Sequence, residues 1–166
     1  MPATRSKEDA STVDREIIIS RVISAPRELV WKACTDRKHV DAWWGPNGFR
    51  NETFHMEVKP GGMWRYIMHG PSGMKFPNRV KYVEVHAPER LVYEHGEDVD
   101  NDPMRFDVTV VFIDRNGSTE VIMHSIFPTM VQRNLVVEQY GAIEGGKQTL
   151  ARLDDFLTNP HNPIEL

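Results

Sequence analysis

Between residues 16 and 127, apolar side chains gather in short β-branched runs or alternate with polar ones; beyond residue 129 they recur every three to four positions. The first spacing predicts strands and the second a helix. Residues 1–13 are polar and without a period, a tail. Glu16–Ile23 is dense in β-branched residues and predicts a first strand. Pro26 suits the first turn of a helix, where no amide donor is needed, and Leu29, Val30 and Ala33 give that helix a short apolar stripe. Asp36 opens a second short helix that runs towards Trp43 and Trp44 and is broken by Gly45-Pro46-Asn47-Gly48.

The chain then alternates. Phe54, Met56 and Val58 are expected on one face of a strand, with His55 and Glu57 on the other. After the turn Pro60-Gly61-Gly62, Trp64, Tyr66 and Met68 share a face, and residues 70–77 form a hairpin tip carrying Met74 and Phe76. Residues 80–85 and 90–95 give two more strands, and an acidic loop follows over residues 97–103. Phe106, Val108, Val110 and Phe112 alternate in the next strand, which Asn116-Gly117 turns back into residues 119–127. Both turn positions tolerate φ > 0, as a two-residue hairpin requires. Connections this short make the sheet antiparallel.

The last third reads as one helix of about 30 residues, opened by a Thr129/Gln132 capping box and ended by Asn159-Pro160. Val136, Tyr140, Ile143, Leu150, Leu153 and Leu157 fall close to one face. Gly145-Gly146 within it marks either a kink or a place where something needs backbone space. The sum is an α+β fold: a curved antiparallel sheet of about seven strands, two short helices after the first strand, and a long C-terminal helix over the concave face. One domain is expected over residues 14–159, with a second tail over 160–166. A gap between sheet and helix, wherever side chains fail to fill it, is the candidate site.

Composition narrows the function. Twenty Lys and Arg against 24 Asp and Glu give a net charge of −4, which argues against a nucleic-acid partner. No apolar run approaches the roughly 18 residues of a membrane span, and the N-terminus lacks the apolar stretch of a signal peptide, so a cytoplasmic protein is expected. Cys34 stands alone, which excludes an internal disulfide and a multi-cysteine zinc site. His55-Met56-Glu57 and His95-Gly96-Glu97 lack the cysteine segment of a zinc deaminase, and no His-Glu-x-x-His occurs, so no metal is expected. Residues 141–148 copy most of a phosphate-binding loop, but they lie within a helical period and Gln148 replaces the hydroxyl residue; no nucleotide or other cofactor is expected. Aromatic and methionine side chains on the strands read as core or as the lining of a pocket. Core is the plainer reading, and the 8 methionines and the phenols of Tyr66, Tyr93 and Tyr140, which need a partner when buried, move it towards the second.

Ala42-Trp43-Trp44-Gly45-Pro46, Pro60-Gly61-Gly62, Met68-His69-Gly70-Pro71-Ser72-Gly73, Ala87-Pro88-Glu89-Arg90-Leu91, Gly141-Ala142-Ile143-Glu144-Gly145 and Leu150-Ala151-Arg152-Leu153, in this order, resemble one family over residues 15–157. It is the bacterial single-domain branch of the family named for activators of the heat-shock-ninety ATPase, within the START-like (SRPBCC, birch-pollen-allergen-like) superfamily. The resemblance implies a helix-grip fold with a hydrophobic cavity. Trp44, Phe54, Met56, Trp64, Tyr66 and Met68 are expected to line it on one side. Phe76, Tyr93, His95, Phe106, Val108, Val110, Met123, Tyr140 and Ile143 are expected to complete the lining, with Met74, Phe76 and Trp43-Trp44 placed to close the mouth.

Three functions follow from the resemblance. The first is non-enzymatic binding of a small hydrophobic molecule, aromatic or lipid-like. The second is a polyketide cyclase or lyase-type enzyme with a pocket acid or base, for which His95 is the candidate and Glu84 and His124 the weaker ones. The third is a cochaperone-like interaction module for the heat-shock-ninety chaperone. Cochaperone activators match this pattern only in their C-terminal domain, and here about fifteen polar residues precede the first strand, so the family name is not itself read as the function. A homodimer through Val92, Val111, Ile113, Ile122 and Ile126 on the convex face is a further expectation.

Overall fold

The computed structural model describes residues 12–161 and 164. The expected tails therefore lie outside the described residues over 1–11, 162–163 and 165–166, while Val13–Arg15 forms a single 3-10 turn. Strand β1 spans Glu16–Ile23 and is followed by helices α1, Arg27–Thr35, and α2, Arg37–Trp43. Pro26 starts α1, and the Asp36 carboxylate caps α2 by accepting from the Lys38 amide. Six strands follow: β2 Arg50–Met56, β3 Met63–His69, β4 Lys75–His86, β5 Arg90–Glu97, β6 Phe106–Arg115 and β7 Ser118–Ile126. They form one antiparallel sheet in the order β1-β7-β6-β5-β4-β3-β2, so the first strand returns to pair with the last. Asn116 and Gly117 take φ of 56° and 93° and close the β6–β7 hairpin in two residues.

Strand parity sends Tyr66, Val80, Tyr82, Leu91, Val108 and Phe112 to the concave face, where all are buried with Val30, Ala33, Val40 and Trp43 of the two short helices. The fold is the expected α+β helix grip. No helix among the described residues is long and apolar enough to cross a membrane.

Two expectations fail, each for a local reason. The terminal helix is two helices, α3 over Met130–Tyr140 and α4 over Ala142–Thr158, because Gly141 adopts the left-handed conformation (φ 60°) between them. Helix α3 buries no side chain, and α4 covers most of the sheet, through Leu150 and Leu153. The Thr129 hydroxyl caps α3 as expected, but the Gln132 side chain turns away to Pro103 and Met104, so half of the capping box forms. The second failure is in β2. A bulge between Thr53 and His55 leaves Phe54 as an unpaired extra residue, turned outward and 45% exposed under the Arg65 guanidinium. Thr53 takes the inward position instead, and Met56 recovers the expected parity opposite Trp64.

Candidate functional site

The concave face is covered unevenly. Under α1, α2 and the second half of α4, the sheet is filled to a residual cavity of about 30 Å³, lined by Cys34, Val40, Trp43, Leu150 and Leu153 among others. That is room for about one water. Under the α3–α4 junction a hollow of about 230 Å³ remains. An aromatic wall divides the two: Trp43 against Trp44 (5.6 Å), Trp44 against Trp64 (5.4 Å), and Trp64 stacked on Tyr66 (4.1 Å).

The floor of the hollow is sheet: Met68 of β3, Tyr93 and His95 of β5, Phe106 and Val108 of β6, Met123 and Ser125 of β7, and Ile17 and Ile19 of β1. Phe127, stacked on Phe106 at 4.6 Å, closes one end. One wall is the loop after α2, Trp44-Gly45-Pro46, whose three carbonyls all accept from Nη1 of Arg152 at 2.8–3.3 Å. The roof is Tyr140, Gly141, Ala142, Gly145, Gly146 and Thr149. Here the paired glycines have a use. A Cβ at Gly146 would stand 2.0 Å from Cδ1 of Ile19, and one at Gly145 would stand 3.3 Å from Cγ of Pro46. Their missing side chains let α4 approach β1 and the loop, so of the two sequence expectations the need for backbone space holds and the break falls at Gly141 instead.

Among the described residues, no charged side chain lines the hollow. Its polar centre is a chain of hydrogen bonds: Nε1 of Trp44 donates to the Tyr66 hydroxyl at 2.9 Å, which lies 3.0 Å from Nε2 of His95, with Oδ1 of Asn78 3.2 Å from the same nitrogen. Burial disfavours the charged form of each titratable member. It lowers His95 to a pKa of about 4 and raises the phenols of Tyr66 and Tyr93 above their ordinary value.

Of the residues expected from sequence, Trp44, Met68, Tyr93, His95, Phe106, Val108, Met123 and Tyr140 line this hollow. Trp64 and Val110 line the small filled cavity, and Tyr66, fully buried, lies behind His95. Met56 packs against the core, and Ile143 borders neither space. Phe54 is outside for the reason given above. Phe76 pairs with Met68 at the rim of the sheet and packs on Phe49 (6.2 Å) without reaching the hollow, and Met74 is exposed at the hairpin tip, so neither closes the mouth. Ile17, Ile19, Ser125 and Phe127 were missed, although the alternation of β1 and β7 held their positions.

The weaker acid–base candidates lie elsewhere. Glu84 is bound to His86 and Arg90 at the surface, and His124 stands 3.2 Å from Glu16 and off the hollow. His55 and Glu57 pair outside at 3.1 Å. Burial pushes the Cys34 thiol up to about 12, which removes its thiolate at neutral pH. Residues 142–148 are helical, and the Gly145 amide is spent on Gly141, so the stretch offers no loop of free amides for a phosphate. Among the described residues no three His, Cys, Asp or Glu side chains gather as metal ligands. Val92, Val111, Ile113, Ile122 and Ile126 are partly buried in their strands, and Ile18 and Val22 beside them on β1 are exposed.

A family model described as Activator of Hsp90 ATPase homolog 1-like protein matches residues 24–158. No curated protein matches the chain. Among solved structures, a protein from Arthrobacter aurescens is similar with 24% identity over 92% of this chain and 91% of its own, at a TM-score of 0.82. A protein from Mycobacterium smegmatis shares 21% identity over 90% of this chain and 94% of its own, at 0.80. One from Silicibacter pomeroyi, titled with the same family name, shares 17% identity over 86% and 96%, at 0.69.

Proposed function

The chain belongs to the Activator of Hsp90 ATPase homolog 1-like family, and from that premise we propose that it binds a small apolar molecule in the hollow beneath the α3–α4 junction. The observation that carries this reading is an uncharged space of about 230 Å³ left open in a fold whose other end is packed solid. A recess this size, lined mostly by apolar side chains, leaves apolar surface against water that an apolar guest would cover. Burying about 300 Å² of apolar ligand surface gives roughly 7–8 kcal/mol. Association costs of at least about 4 kcal/mol leave at most about 3–4 kcal/mol, an affinity that is millimolar or weaker unless polar groups add to it.

Catalysis by His95 is the less favoured reading. A general base works best with a pKa near the working pH, and burial holds this imidazole at about 4. Its place in the hydrogen-bond chain suits holding a guest more than taking its proton.

The binding is tested with N-phenyl-1-naphthylamine, whose fluorescence rises in apolar surroundings, and by native mass spectrometry of freshly purified protein. The wild type is expected to bind the dye, and Ala142→Phe, which fills the roof, to weaken it at least tenfold. A wild type that takes up no dye and carries no adduct overturns the proposal.

A further inference from the structure

The hydroxyl of Tyr66 is wholly buried and accepts from the Trp44 indole, a donor only. Its own proton must therefore find an acceptor inside the protein, and Nε2 of His95, at 3.0 Å, is the acceptor in reach. An Nε2 that accepts from Tyr66 places the imidazole proton on Nδ1. The opposite tautomer would suit Asn78, whose Nδ2 already donates to the Phe76 carbonyl and whose Oδ1 faces His95 at 3.2 Å. It would strand the Tyr66 proton, however. Asn78 is partly exposed and can turn to water, while Tyr66 cannot, so the cost of stranding Tyr66 decides. Nδ1 of His95 has no protein partner among the described residues, and His95 lines the hollow. The Thr149 hydroxyl, also in the lining, already donates to the Gly145 carbonyl.

We infer that the hollow selects uncharged apolar molecules bearing a carbonyl-type acceptor, which receives a hydrogen bond from the Nδ1–H of His95; this rests on the proposal that the hollow binds a ligand at all. A hydrocarbon leaves that N–H unpaired on binding. A carboxylate loses its hydration with no cation among the described lining residues to offset the loss. The ketone satisfies the donor and brings no charge. Burial keeps the imidazole neutral at physiological pH, so the donor presented is a single N–H and not an imidazolium.

Three probes of one shape test this by calorimetry at pH 7.5: 2-acetylnaphthalene, 2-ethylnaphthalene and 2-naphthoate. The ketone is expected to bind about tenfold more tightly than the hydrocarbon, the gain of one buried hydrogen bond, and the carboxylate most weakly. In His95→Phe the ketone's advantage disappears while the hydrocarbon's affinity stays within about twofold. Equal affinities for ketone and hydrocarbon in the wild type overturn the inference and leave ligand binding standing. Tightest binding of the carboxylate, with proton uptake, overturns it as well. Failure of all three probes together with the dye overturns the binding proposal itself. Should His95→Phe not fold, the wild-type ratio decides together with the imidazole 15N spectrum of the free protein, where an Nδ1–H tautomer supports the inference and an Nε2–H tautomer overturns it.

Discussion

The two ends of the concave face are built on the same sheet and roofed by the same helix, yet one is full and the other hollow. The difference lies in the size of the side chains that α4 turns downward. In its first two turns these are Ala142, Gly145, Gly146 and Thr149; in the next they are Leu150 and Leu153, at 1% and 0% exposure. Trp43 and Val40 of α2 fill the same end from the side. Helical periodicity marks which positions face the sheet, but residue volume along that face decides where space remains. A cavity in this fold is thus a run of small residues on an otherwise ordinary amphipathic helix.

The sharpest test of that contrast removes similar volumes from each end. Leu153→Ala is expected to cost about 3–5 kcal/mol, because Leu153 is fully buried in the filled end, where only the residual cavity of about 30 Å³ adjoins it. Met68→Ala, in the floor of the hollow, is expected to cost about 1–2 kcal/mol, since one side of Met68 already faces open space. Urea denaturation of both variants reads the difference. Equal costs would mean that the two ends are equally packed.

The sheet was readable because its signals are local. Alternation over Trp64, Tyr66 and Met68, and over Phe106, Val108, Val110 and Phe112, reports burial on one face directly, and Asn116-Gly117 reports its own backbone. Where the reading failed, a single residue reset the period. The bulge at Phe54 turned an aromatic outward that strict alternation had placed inside, with nothing in Thr53-Phe54-His55 to announce it. Gly141 split the last helix by taking φ 60°, although Gly145-Gly146 looked the weaker point; those two stay helical and let α4 approach Ile19 and Pro46. Aromatic residues drew the sequence reading towards the pocket, yet Phe54 and Phe76 lie off it, and Trp64 and Tyr66 build its dividing wall instead. The better signal was the opposite one, the small or missing side chains at Ala142, Gly145 and Gly146.

His95 sits on the boundary between the ends, and its titration tests whether that boundary is dry. The groups that face it are Trp44 of the loop, Tyr66 of β3, Asn78 of β4, Tyr93 of its own strand and Phe106 of β6, none of them charged at neutral pH. Its folded pKa of about 4 lies below the ordinary 6.5. Between these values the unfolded chain binds the proton and the folded chain does not, so stability contributed above pH 6.5 is lost as the pH falls towards 4. The loss attributable to this residue is about 2–3 kcal/mol between pH 7 and pH 4. Asp98, held low by Arg65 and Arg79, also loses stability on acidification, so the measurement is a difference. The gap in unfolding free energy between wild type and His95→Gln should shrink by that amount over the range. A constant gap would show that water reaches the imidazole in the folded state and that the wall between the two ends is wet.

The smallest expected effect on stability, and the most direct on the hollow, belongs to Gly146→Val. The new Cβ meets the tip of the Ile19 side chain, which can swing, and not backbone, so the chain yields at this point without unfolding. Gain in helix propensity offsets part of the overpacking, and a net loss of about 1 kcal/mol is expected. Ile19 lines the hollow, and the direction open to it is the empty space beside it. The variant should therefore melt a few degrees lower while binding N-phenyl-1-naphthylamine about tenfold more weakly, a split that a purely structural glycine would not produce. An unchanged melting temperature together with unchanged dye affinity would make the glycine pair incidental, and the explanation of the hollow by side-chain size along α4 would fall with it.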